Sequence, residues 1–148
     1  MSGTGDNNYA GDVTAQAAYE ALATTPEATL IDVRTRAEWT YVGIPSLDAI
    51  GKPVLLVAWD EFPSGDRVPD FAGRLEAALG ERGVGAEAPL FFLCRSGARS
   101  RNAAIIATAA GHGRCYNIEL GFEGRLGPDG HRATEGSWKA EGLPWIQS

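Results

Sequence analysis

The chain has 148 residues, 44% of them apolar and 22% charged, which suits one folded domain and argues against intrinsic disorder. A net charge of −6 argues against a general nucleic-acid footprint, and no apolar run is long enough to span a bilayer. The segment Met1 to Ala10 has neither the basic nor the apolar region of a secretory signal, so a cytoplasmic location is expected, with Cys94 and Cys115 as free thiols.

Residues 1–11 are small and polar and are expected to form a flexible tail before a single domain over 12–148. Thr14 has the character of an N-cap, and Ala15, Ala18, Tyr19, Leu22 and Ala23 follow at helical spacing until Pro26. Ala28 to Val33 reads as a short buried strand and Thr35 to Thr40 as a brief helix. Gly43-Ile44-Pro45 reads as a turn or extended loop. Val54 to Val57 is an unbroken apolar run, expected as a strand covered on both faces. Phe62 to Asp66 has loop chemistry. A helix is expected from near Pro69 to Gly83, with Phe71, Leu75, Ala78 and Leu79 on one face. Leu90-Phe91-Phe92-Leu93 is the clearest strand, and it runs straight into Cys94. A small-residue helix over Ala98 to Ala110 and a strand over Cys115 to Ile118 come next. Beyond Gly121 the chain is glycine-rich, with a short helix expected over Ser137 to Glu141.

Apolar strands alternating with helices imply an α/β architecture, a parallel sheet flanked by helices on both faces. Ligands of such sheets sit at the carboxyl ends of the strands, and Cys94 is the first residue after one of them. A cysteine between a buried strand and a helix start is in an electropositive position. The amides of Arg95, Ser96, Gly97, Ala98 and Arg99 lack helical partners and can converge on its sulfur, with Gly97 permitting the backbone angles. The helix dipole and the Arg95 and Arg99 side chains favour the thiolate, the form that attacks sulfur. Arg95, Arg99 and Arg101 follow Cys94 closely with no acidic residue among them, which points to a small anionic ligand.

Asp32-Val33-Arg34, Glu38-Trp39, Cys94-Arg95-Ser96-Gly97-Ala98-Arg99-Ser100 and Gly121-Phe122-Glu123-Gly124 resemble, in order, the signature elements of the rhodanese domain. Trp138 and Gly142-Leu143-Pro144-Trp145 resemble the family's carboxyl end, so the likeness covers residues 12–146. The resemblance implies the rhodanese-like fold, a five-stranded parallel sheet with helices on both faces, and the sulfurtransferase class of activity. It implies that Cys94 accepts sulfur and that Arg95 to Arg99 wrap it and bind the donor. Asp32 and Arg34 would brace the site, with Glu38 pairing Arg34, while Ser100 is either a first-turn helix residue or a ligand contact. The sequence departs from the family where many members have Gly-His-Ile: Gly43-Ile44-Pro45 has no histidine.

The expected cycle has two steps. The Cys94 thiolate takes the outer sulfur of thiosulfate or of a persulfide donor, and a thiophilic acceptor then removes it from the Cys94 persulfide. A thiol or a sulfur-carrier protein is a candidate acceptor. The cycle requires no metal and no organic cofactor, and no nucleic acid or membrane partner is expected. Two other readings stay open. A cysteine phosphatase or arsenate reductase would place its arginine where Ser100 stands, whereas this chain has Arg99 and Arg101 on either side. A non-enzymatic sulfur carrier would use Cys94 without turnover. Cys115 is expected as a buried small hydrophobe, the other reading being a resolving thiol for Cys94. His112 is expected at a helix end rather than as a general base, and His131 on the surface of a polar loop rather than at the pocket.

Overall fold

In the computed structural model, which describes residues 8–147, strands and helices alternate along the chain. The elements are β1 (Gly11–Val13), α1 (Ala15–Thr24), β2 (Thr29–Asp32), α2 (Arg36–Tyr41), β3 (Ile44–Pro45), β4 (Val54–Leu56), α3 (Phe71–Glu81), β5 (Leu90–Leu93), α4 (Ala98–Ala109), β6 (Cys115–Ile118) and β7 (Trp145–Ile146). Five of the strands form a sheet in the order β1-β6-β5-β2-β4. Every pairing in it is parallel, which requires a crossover for each return of the chain.

The alternation of side chains along β5 explains the layering. Leu90 and Phe92 belong to the core beneath α3 and α4, with Phe71, Leu75, Leu79, Ala103, Ala104 and Ala107. Phe91 and Leu93 belong to the opposite core with Ala15, Ala18 and Leu22 of α1, and with Phe122 and Trp138. All four β5 residues are buried, as a central strand covered on both faces must be. The helix starts follow side-chain chemistry. Thr14 Oγ1 accepts from the Ala17 amide at 3.0 Å. At α2, Thr35 and Glu38 form a reciprocal capping box.

Four expectations are corrected. Of the expected tail, residues 1–7 lie outside the described residues, but Tyr9 is buried and Gly11 to Val13 pair with Tyr116 to Ile118. The alternation rule misses such a strand because Gly-Asp-Val carries a single apolar residue. Val54 to Leu56 is a strand but not one covered on both faces: β4 is a sheet edge, and Leu56 is 43% exposed. Ile44 and Pro45 are not loop, since they pair antiparallel with Ile146 and Trp145. Ser137 to Glu141 forms successive turns rather than a helix, confined between Gly136 and Gly142, both at positive φ. Among the described residues, no helix is long and apolar enough to cross a membrane.

Candidate active site

Cys94 leaves the carboxyl end of β5, and the turn into α4 closes around its sulfur. Gly97 caps the helix at φ 109°, a conformation that suits glycine, and its amide donates to Cys94 Sγ at 3.1 Å. A Cβ at Gly97 would collide with the Glu119 carbonyl oxygen. The next loop clamps the turn from outside. The Phe122 amide donates to the Cys94 carbonyl at 2.9 Å and the Glu123 amide to the Arg95 carbonyl at 3.0 Å. Gly121 approaches so closely that a Cβ there would stand 2.5 Å from the Cys94 carbonyl oxygen.

Of the loop amides expected to converge, that of Gly97 bonds to the sulfur. The second contact is one the loop reading did not assign, Ser100 Oγ at 3.2 Å. Ser100 is fully buried and also lies 2.5 Å from Asn117 Oδ1. Cys94 itself is 1% exposed, whereas Arg95 and Ala98 face solvent and Ser96 is half-buried.

The arginines do not gather at the sulfur. Arg99 turns to Glu38, with Nη1 2.7 Å from Oε1 and Nη2 2.9 Å from Oε2, and its Nη1 lies 3.3 Å from Asp60 Oδ1. The hydrogen bonds of the Arg99 guanidinium go to these carboxylates. Burial alone would raise the Glu38 carboxyl. Hydrogen bonds from Arg99 and the Thr35 amide, with the charges of Arg99 and Arg34, outweigh burial and hold it at about 2. The capping box therefore also aims Glu38 at Arg99. Arg101 points elsewhere, with Nε 3.3 Å from the Tyr9 hydroxyl.

Arg34 pairs with Asp32 and not with the expected Glu38. Arg34 Nη2 lies 2.7 Å from Asp32 Oδ2, and both side chains are fully buried. The same nitrogen donates to the Gly43 carbonyl at 2.7 Å, and the guanidinium carbon sits 4.2 Å from the centre of the Phe122 ring. Two residues apart at a strand end, aspartate and arginine meet locally, whereas Glu38 is already taken by Thr35 and Arg99. Arg34 thus ties the end of β2 to the segment where the family histidine is missing and to the loop that clamps Cys94.

Cys115 stands opposite Leu90 in the β5–β6 register, four residues from Cys94 along the sheet. At about 3.3 Å per residue the two α-carbons are about 13 Å apart, beyond the roughly 7 Å limit for a disulfide. The resolving-thiol reading is therefore not supported by this arrangement. Burial pushes the Cys115 thiol up. His112 Nε2 lies 2.6 Å from Glu76 Oε2 at the far end of α4, and His131 is exposed beside Asp129.

A cavity of about 640 Å³ opens beside the loop. It is lined by Arg95, Arg99 and Arg132, by Glu38, Asp60, Glu61 and Glu123, and by the apolar surfaces of Tyr41, Val42, Phe62 and Pro63. Among the described residues, no group of three or more His, Cys, Asp or Glu side chains converges as a metal site would require.

Residues 14–125 match the profile of the family described as Rhodanese-like domain. A protein of Rickettsia conorii is 40% identical over 128 residues, spanning 86% of this chain and 90% of its own length. The crystal structure of Rv0390 from M. tuberculosis superposes with a TM-score of 0.83 at 44% identity, covering 95% of this chain and 99% of that one. The polysulfide-sulfur transferase homodimer of Wolinella succinogenes shares the fold, with a TM-score of 0.60 at 24% identity over 95% of this chain and 80% of that one.

Proposed function

Because the chain belongs to the rhodanese-like domain family, we propose that it is a sulfurtransferase in which Cys94 carries sulfane sulfur from thiosulfate or a persulfide donor to a thiophilic acceptor. The observation that carries this reading is the Gly97 amide held on Cys94 Sγ at 3.1 Å, with the Ser100 hydroxyl 3.2 Å from the same sulfur. A backbone donor fixed at a sulfur before reaction stabilises negative charge there without reorganisation.

In the first step a bond forms between Cys94 Sγ and the outer sulfur of thiosulfate. The sulfur–sulfur bond of thiosulfate breaks, and its electron pair leaves with sulfite. In the second step a nucleophile such as cyanide or a thiolate bonds to the terminal sulfur of the persulfide, and the electron pair of the breaking bond returns to Cys94 as thiolate. Arg95 and Arg132 line the cavity through which an anionic donor would approach, while Arg99 is engaged by Glu38 and Asp60. That engagement also disfavours phosphoryl transfer, which needs an arginine free to bind a tetrahedral oxyanion. A thiol or sulfur-carrier protein is the proposed acceptor, and a reducing cytoplasm would keep Cys94 ready for loading.

The test is thiocyanate formation from thiosulfate and cyanide by the wild type and Cys94→Ala. Loss of turnover in the variant is expected. Turnover unaffected by the substitution would remove Cys94 from the mechanism. Absence of turnover in the wild type, with one added sulfur on Cys94 by intact mass, would favour a carrier over an enzyme.

A further inference from the structure

A chain of polar side chains leads from the Cys94 sulfur to strand β1. Ser100 Oγ touches both Cys94 Sγ and Asn117 Oδ1, at 3.2 and 2.5 Å. Asn117 Nδ2 donates to Asp12 Oδ1 at 3.0 Å, and the Tyr9 hydroxyl donates to the same oxygen at 2.8 Å. Asn117 is 3% exposed and lies in β6, whereas Asp12 faces solvent.

Donor counting makes this chain directional. An ionised carboxylate only accepts, so Asp12 fixes the amide nitrogen of Asn117 toward itself and the amide oxygen toward Ser100. A serine hydroxyl has one proton, yet Ser100 has two acceptors beside it when the sulfur is a thiolate. With Cys94 as a thiol there is no conflict: the S–H donates to Ser100 Oγ, Ser100 to Asn117, and Asn117 to Asp12. Loss of the thiol proton creates the conflict. If Ser100 turns to the thiolate, the buried Asn117 oxygen loses its donor, which is unfavourable away from water. In a persulfide the negative charge sits on the outer sulfur, and the Ser100 proton can return to Asn117.

We propose that Asn117, oriented by Asp12, is a positioning residue that competes with the Cys94 thiolate for the Ser100 proton and so favours the sulfur-loaded form over the free thiolate. The statement about the loaded form rests on the sulfur-transfer reading, while the competition for the proton does not. Charged groups of the elements surrounding the loop include Arg99 of α4 with its partners Glu38 of α2 and Asp60 after β4, the Asp32–Arg34 pair at the end of β2, and Arg95 of the loop. Arg101 of α4 lies beside Tyr9 at the outer end of the chain. Substitutions at Asn117 and Ser100 leave all of these in place.

The test follows the pH dependence of Cys94 alkylation by iodoacetamide in a Cys115→Ala background. Asn117→Val removes the competing acceptor and is expected to lower the midpoint by about 0.5–1 pH unit, the size of one hydrogen bond. Ser100→Ala is expected to raise the midpoint. In Ser100→Ala/Asn117→Val the Asn117 effect should vanish, because it acts through the hydroxyl. Asp12→Ala, on an exposed edge strand, frees the Asn117 amide to rotate and should give a smaller downward shift that also vanishes without Ser100. An unchanged or raised midpoint in Asn117→Val, or a shift that survives in the Ser100→Ala background, would overturn the proposal. Should Asn117→Val not fold, the same comparison of Asp12→Ala with and without Ser100 decides it. Failure of the sulfur-transfer reading would show separately, as a Cys94 that takes no sulfur from thiosulfate or glutathione persulfide while these midpoints still move.

Discussion

Two thiols on adjacent strands of one sheet are equally shielded, Cys94 at 1% and Cys115 at 0% exposure, and yet their surroundings ask opposite things of them. The Cys94 sulfur, at the carboxyl edge, receives the Gly97 amide and neighbours the Ser100 hydroxyl. The Cys115 sulfur, at the amino edge, donates to the His112 carbonyl at 3.5 Å, and burial pushes its thiol up against a smaller opposing effect of the Thr108 hydroxyl. Burial therefore does not distinguish the two thiols. The direction of the hydrogen bonds at the sulfur does, and in a parallel sheet that direction follows from which strand end the residue occupies.

The sharpest way to erase the contrast is Gly97→Ala. The added Cβ meets the Glu119 carbonyl and the turn must shift, withdrawing the amide from the sulfur. Persulfide formation, followed by intact mass after mixing with thiosulfate, is expected to slow about 10- to 100-fold, in line with loss of one fixed donor. A wild-type rate in a folded Gly97→Ala protein would break the comparison.

A smaller effect concerns the frame around Cys94. The folded-state value of Glu38, about 2, lies below its ordinary 4.5, so the unfolded chain binds the proton more readily. The stabilisation from Glu38 is then fully present above pH 4.5 and is lost as pH falls toward about 2. Glu38→Gln should flatten this part of the acid unfolding curve, measured by urea midpoints across that range. An unaltered slope would mean that the contact with Arg99 contributes nothing to stability.

The smallest effect is expected at the other thiol. Cys115→Ala should leave sulfur loading within about twofold and lower stability by about 1 kcal/mol, as for a small buried side chain. Because the folded-state thiol is pushed above its ordinary 9.0, the unfolded chain loses its proton first and stability falls above that pH. The alanine variant should lack that alkaline component, and a large loss of sulfur loading would show that the two thiols are not independent.

Much of the frame was legible because its determinants are local. Leu90 to Leu93, Cys94 and the helix after Gly97 are contiguous, so one apolar run and one glycine announce a strand, a turn and a helix start. Asp32 and Arg34 are just as local, and both were legible as braces of the site, but their pairing with each other was not, since Glu38 stands as an equally near carboxylate. Arg99 and Glu38, by contrast, meet across 61 positions, and nothing near either residue distinguishes that pairing from Glu38 with Arg34. Asn117 and Asp12 meet across 105. The one signal available for them was an asparagine inside the apolar strand Cys115 to Ile118, since a polar group placed there needs a partner. Strand β1 carries no sequence signal because it is short and lies at the sheet edge, held by backbone pairing with β6 and by the buried Tyr9 beside it.

The short ribbon of β3 and β7 has a practical corollary. It pins Trp145 and Ile146 against Pro45 and Ile44, and the Gln147 amide reaches the Tyr41 carbonyl at 2.8 Å. Tyr41 also lines the cavity beside the sulfur loop. A bulky group attached beside Gln147 would thus sit next to this cavity, which we propose as the entrance for donors and acceptors. Tests of sulfur transfer to bulky acceptors are best made with no tag beside Gln147.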